Sequence, residues 1–291
     1  LPTPGLDTHL LAAVAAFLIS LISATAGVTG AFLLVPFQVS VLGLGSPSVS
    51  ATNHLYNVIA APGGVIGYGE QRRMVWSLAG VLVLGTLPGI FAGILIRVRY
   101  LQDIASFRQF AGGVLFVLGL LLLVRAGGMR KHGGRGVAAE SQVASVETGW
   151  RRIRYRFDGE PCSVAVPPLI LFSLLIGTIG GAYGVGGGVF TSAYLIGVCR
   201  LPVHSTAGAT LLATFVASCV GVLGFATVSW TGAESGAPTA PVWSLGLAMG
   251  IGGLVGGYLG ARLQRLLPSR WIAVVLAVFL LLLGLTYLAR P

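Results

Sequence analysis

Charge is what this 291-residue chain has least of: 9% of its residues are Asp, Glu, Lys or Arg, and only eight are acidic. A soluble domain carries about 25%, so the polar surface such a domain needs is missing. Cysteine is scarce too. Cys162, Cys199 and Cys219 form an odd, scattered set without metal-ligand spacing, which excludes a disulfide framework and offers no metal centre. Neither paired aspartates nor a Gly-x-Ser-x-Gly with a partnered histidine is present, so the chain is read as not an enzyme and as needing no cofactor. No Asp, Glu, Lys or Arg is expected well inside an apolar stretch, which argues against a carboxylate proton relay. What remains is apolar: 55% of residues are hydrophobic and the mean hydropathy is +0.90. That composition specifies a polytopic protein of the lipid bilayer. The net charge of +10 sits in arginine clusters between apolar stretches, so it speaks for membrane topology and not for nucleic acid.

Apolar segments cover residues 9–42, 48–68, 75–96, 107–124, 167–198, 205–228, 243–263 and 271–288. The first and fifth are too long for one crossing, reaching about 50 Å against a hydrocarbon core of about 30 Å. Each carries a glycine run, Gly27-Val28-Thr29-Gly30-Ala31 in the first and Gly184-Val185-Gly186-Gly187-Gly188 in the fifth. Each therefore reads as a broken hairpin that enters and returns. Basic residues favour the cytoplasmic side. With hairpins, 14 of the 18 basic residues share one side and only Arg97, Arg99, Arg108 and Arg290 lie opposite; with single crossings the split is 11 to 7. The expected fold is all-α, with two inverted repeats, each a re-entrant helical hairpin plus three transmembrane helices. The repeats span 1–124 and 164–291, joined by a cytoplasmic linker at 125–163, with both termini outside. Leu1 to Thr8 lacks the basic region of a signal peptide, so the first apolar segment is expected to be retained.

The repeat is visible in residues. Gly27-Val28-x-Gly30 aligns with Gly184-Val185-x-Gly187, Pro47 with Pro202, Gly64-x-x-Gly67 with Gly221-x-x-Gly224, and Trp76-Ser77-Leu78 with Trp243-Ser244-Leu245. Pro88 to Gly93 then matches Val255 to Gly260. In the linker, Arg152 to Phe157 alternates with period two and Asp158-Gly159 is a turn signal, so a small β-hairpin is expected there.

Glycine inside helical apolar sequence costs about 1 kcal/mol against alanine, so a cluster marks a break. Irregular backbone survives at membrane depth only when buried in protein or lining a cavity. A helix restarting after the glycines points free N–H groups and its positive dipole end back at them, which is an anion site made of backbone. Close helix packing is the competing reading. Side chains beside the breaks extend the candidate site. Asn53 and Asn57 share a helix face with His54 beside them, and Thr206, Thr210, Thr214 and Ser218 form a ladder at four-residue spacing. His54 aligns with Thr210. The substrate-binding set is thus Gly27, Val28, Thr29, Gly30, Asn53, His54, Asn57, Gly184, Val185, Gly186, Gly187, Gly188, Thr210 and Thr214, with no metal.

These features resemble the sulfite exporter TauE/SafE family, also called the 4-toluene sulfonate uptake permeases. The likeness runs through essentially the whole chain: Gly184 to Gly188 fits the family's Gly-x-Gly-Gly-Gly segment, and Pro36, Pro47 and Pro202 fit its proline positions. The first half departs from the pattern, with Thr29 and Ala31 where glycines are usual. The resemblance implies a secondary transporter, read here as an exporter, of small sulfur-containing anions such as sulfite, sulfonates or sulfoacetate across a bacterial cytoplasmic membrane. An anion channel and a non-transporting membrane scaffold are the alternatives. Glycine-rich helices leave a homodimer open.

Overall fold

The computed structural model describes residues 5–25, 29–70, 74–132, 143–232, 237–263 and 269–289. Gly27, Val28, Arg72, Arg73, Arg135, Arg265 and Arg290 lie outside the described residues. Seven of the described helices are long and apolar enough to cross a membrane. They are α1 (Leu6–Thr25), α5 (Trp76–Arg99), α6 (Ile104–His132), α7 (Val166–Tyr183), α9 (Val203–Trp230), α10 (Trp243–Leu263) and α11 (Ser269–Ala289). Large apolar side chains such as Phe91, Leu171, Leu175 and Leu282 face outward. In water that would be a liability, but in lipid it is what a span requires.

The two overlong segments are indeed broken. In each, a long helix is followed by a ten-residue one: α1 by α2 (Ala31–Ser40), α7 by α8 (Gly188–Gly197). Ten residues rise only about 15 Å, half a bilayer. The second pair folds back on itself, since Phe172 of α7 stacks on Tyr194 of α8 with ring centroids 4.1 Å apart.

The segment at 48–68, expected as one span, is split into α3 (Ser48–Ala60) and α4 (Pro62–Glu70). Pro62 is the cause, because it has no N–H and its ring displaces the preceding turn. The corresponding stretch of the second half contains no proline and is the unbroken α9.

Packing follows the glycines. Methyl groups placed on Gly85, Gly89 and Gly93 of α5 would run into the backbone of α7, and those on Gly252, Gly256 and Gly260 of α10 into the backbone of α1. These are equivalent positions of the two halves, so the first helix of each half packs in parallel against the later glycine-striped helix of the other. Helices α6 and α11 cross antiparallel, Gly112 meeting Gly284 and Gly119 meeting Ala277 and Leu281. The α3–α4 segment runs antiparallel to α9 as well, with His54 of α3 against Gly221 and Gly64 of α4 against Leu211. Small residues serve here because apolar side chains gain nothing by leaving lipid, whereas close backbone approach gains dispersion contacts.

Two features of the linker differ from expectation. Helix α6 continues through His132, eight residues past the end of its apolar stretch. The sheet has three antiparallel strands, β1 (Val143–Thr148), β2 (Arg152–Phe157) and β3 (Glu160–Ala165), in that order. The Asp158-Gly159 turn has φ of 54° and 79°, the doubly positive pair that a two-residue hairpin turn demands. Strand β1 was missed because its sequence, VASVET, lacks sustained alternation. Ile153, Tyr155 and Phe157 bury against Val75, Leu78 and Leu82 at the start of α5, and the alternating Arg152, Arg154 and Arg156 face solvent.

Candidate functional site

The second break is built from three glycines in the left-handed region, Gly184 (φ 91°), Gly186 (φ 67°) and Gly187 (φ 84°). Only glycine adopts this without strain. A helix that ends in the interior leaves carbonyls without partners. Here α3 supplies them. Ser50 Oγ donates to Ala182 O at 2.7 Å, Asn53 Nδ2 to Gly184 O at 2.9 Å, and Asn57 Nδ2 to Gly184 O at 3.2 Å. Positions 50, 53 and 57 share one helix face, so the polar stripe of α3 is a side-chain cap for α7. Asn53 Nδ2 also donates to Ala31 O, 3.0 Å away at the start of α2. One amide therefore ties the two breaks together. Its orientation is fixed, because flipping it would set an oxygen against two carbonyls.

On the other side of the break α8 begins. Thr191 N–H finds the Gly187 carbonyl at 3.1 Å, so the N–H groups ahead of it in the first turn have no intrahelical acceptor. Val185 is buried in the core with Val189 and Phe190. The ladder on α9 closes this end. A methyl on Gly186 would meet Ser218 Oγ at 2.8 Å and Thr214 at 3.0 Å, and Gly188 abuts the Thr214 hydroxyl. Thr210, Thr214 and Ser218 are all buried. The Thr210 and Thr214 hydroxyls donate to Ala207 O at 3.0 Å and Thr210 O at 2.9 Å. Bulk at Gly187 meets Ile176 Cγ2 at 2.8 Å and a positive φ, so Gly187→Val strains the fold and is not a clean probe of binding.

At the first break, Gly30 caps α2 with φ −73°, ψ −10° and lies against Ser20 and Ile19 of α1. The Thr29 hydroxyl is buried without a partner among the described residues. Pro36 has no N–H to give the carbonyl four residues back, that of Phe32. The Tyr183 hydroxyl, at the end of α7, donates to it at 2.9 Å. His54 lies one layer on. Its Nδ1 is 3.3 Å from Ser218 Oγ, and the ring also interacts with the Gly181 backbone.

The fold thus gathers Gly184, Gly186, Gly188, Asn53, Asn57, Thr210 and Thr214 into one buried cluster, with Thr29 and Gly30 joined to it through Ala31 and His54 through Ser218. Ser50, Tyr183 and Arg97 were not foreseen. Arg97, counted as a surface residue near the end of its span, is fully buried. It lies just beyond the apolar stretch 75–96, at the end of α5, and its burial in the bundle was not foreseen. A signal existed: Gly85, Gly89, Gly93 and Arg97 are spaced by four, so the arginine continues the stripe that packs on α7.

The sequence pattern of the sulfite exporter TauE/SafE proteins matches residues 12–287. The chain belongs to that family. A TauE/SafE relative of narrower coverage is the probable membrane transporter protein y4hK of Sinorhizobium fredii, 31% identical over 125 residues, 42% of this chain. That match spans about half, 47%, of the relative's length. No solved structure matches the chain. Membership of a transporter family and seven span-length helices make this a multi-pass membrane protein.

Proposed function

We propose that this TauE/SafE protein is a secondary transporter, an exporter, of small sulfur-containing anions such as sulfite, sulfonates or sulfoacetate, bound between its halves at the glycine breaks. The observation that carries the reading is the double hydrogen bond of Asn53, which holds the start of α2 and the end of α7 together in the interior. The backbone N–H groups opening α8 are the anion donors, with the Thr210 and Thr214 ladder beside them and Thr29 and Gly30 on the pseudo-symmetric side. The carbonyl end of α7, which would repel an anion, is covered by donors from α3. Equivalent helices crossing antiparallel support an inverted repeat, with the arginine-bearing sheet on the cytoplasmic face of a bacterial inner membrane. Burial of Asn53, Asn57, Thr210 and Thr214 favours a carrier occluded between gates over an open channel.

A thermal-shift screen of purified protein against sulfite, sulfate, thiosulfate, sulfoacetate and short sulfonates is the direct test. At least one should raise the melting temperature and drive saturable counterflow in proteoliposomes. Flux without saturation points to a channel. No stabilisation by any of these anions sinks the assignment.

A further inference from the structure

We propose that Arg97 supplies the fixed positive charge of the anion path, its Nη1 donors binding an oxyanion beside the α7 glycine break. The proposal rests on the transporter reading above and adds to it the group that recognises charge. Arg97 is fully buried near the end of α5. Its Nε donates to Ser50 Oγ at 3.2 Å, its Nη2 to Gly45 O at 3.1 Å, and its guanidinium carbon stands 3.8 Å over the Phe107 ring. Nη1 has no partner among the described residues. None of these neighbours carries negative charge, and Asp103, which acts on Arg97 electrostatically, is exposed on the following loop.

A buried guanidinium without a contacting anion is unfavourable, and such a residue inside a span marks a functional site by default. Two observations link it to the glycine break. Ser50, which accepts from Arg97, donates in turn to Ala182 O in the last turn of α7, and the Ser50 carbonyl is what a Cβ on Gly184 would strike at 2.5 Å. Ser50 alone joins the guanidinium, at Nε, to the end of α7. Arginine suits the role better than lysine because Nη1 keeps two N–H donors for an oxyanion while Nε and Nη2 stay anchored.

The test is sulfite, sulfate and sulfoacetate binding to the detergent-purified full chain and to Arg97→Met and Arg97→Lys, with apo melting recorded alongside. Arg97→Met should bind at least about tenfold more weakly than wild type, as loss of a charge-assisted hydrogen bond requires. Lysine can release its proton when buried and arginine cannot. The affinity of Arg97→Lys, taken as a ratio to wild type at each pH to cancel titration of the anion, should therefore fall as pH rises from 6 to 9. This second variant decides the matter if Arg97→Met does not fold. Wild-type binding with Arg97→Met within twofold of it, or an Arg97→Lys ratio near one at every pH, overturns the assignment and leaves the transporter reading standing. If wild type binds none of the three anions, both fall together.

Discussion

Replacing Tyr183 by Phe should cost far more when Pro36 is present than when it is not. Pro36 deprives the buried Phe32 carbonyl of its helical donor, and the Tyr183 hydroxyl at 2.9 Å is the substitute. Phe32 and Tyr183 are both inaccessible to solvent, so Tyr183→Phe leaves a dry carbonyl unsatisfied, at about 1–3 kcal/mol. In a Pro36→Ala background the restored N–H of residue 36 reaches the same carbonyl, and loss of the hydroxyl removes only a second, redundant bond. The expected coupling is about 1–2 kcal/mol, towards the lower end if the unfolded helix finds other donors in the micelle. A double-mutant cycle measured by SDS-induced unfolding in mixed micelles reads it directly. Additivity within about 0.5 kcal/mol would show that Tyr183 does not replace the missing donor. The same bond would then not be what docks the first hairpin onto the second.

The glycines offer a second prediction: Gly186→Ala and Gly187→Val, both at positive φ, should lower melting temperature and substrate response together. A normal melt with lost binding would contradict the crowding seen around them. His54→Gln keeps a donor, so it should retain some affinity while flattening any pH dependence between about pH 5 and 8; an unchanged pH profile with lower stability makes His54 an interhelical hydrogen-bonding residue only. At the sheet, burial pushes the Tyr155 hydroxyl up, its hydrogen bond to Ser205 at 2.9 Å pulling the other way. The folded state holds that proton more tightly than the unfolded chain, so its contribution is whole below about pH 10 and is lost as pH climbs above it. Tyr155→Phe should remove this alkaline loss, monitored by near-ultraviolet dichroism. Single cysteines at Ser46 and Thr231, in a chain without native cysteines, should react from the same face of the membrane; reaction from opposite faces would end the re-entrant topology.

The sequence by itself determined the solvent and the repeat. Hydropathy and the scarcity of charge leave only lipid, and segments well over the bilayer thickness containing glycine runs had to break, which the α1–α2 and α7–α8 pairs do. Asp158-Gly159 specified its turn because backbone sterics there are local. Only the tertiary structure decided which groups meet. Nothing along the chain says that Asn53 reaches both Ala31 and Gly184, or that Tyr183 answers the proline at 36, because those bonds join residues from 22 to 151 positions apart. The burial of Arg97 was missed for the same reason. Hydropathy reports the average cost of a segment in lipid, and at the edge of a span that average cannot tell a side chain that reaches out to water from one that turns inward onto Ser50, Gly45 and Phe107. The glycine stripe at 85, 89 and 93 seats that face of α5 against the bundle, and position 97 continues it.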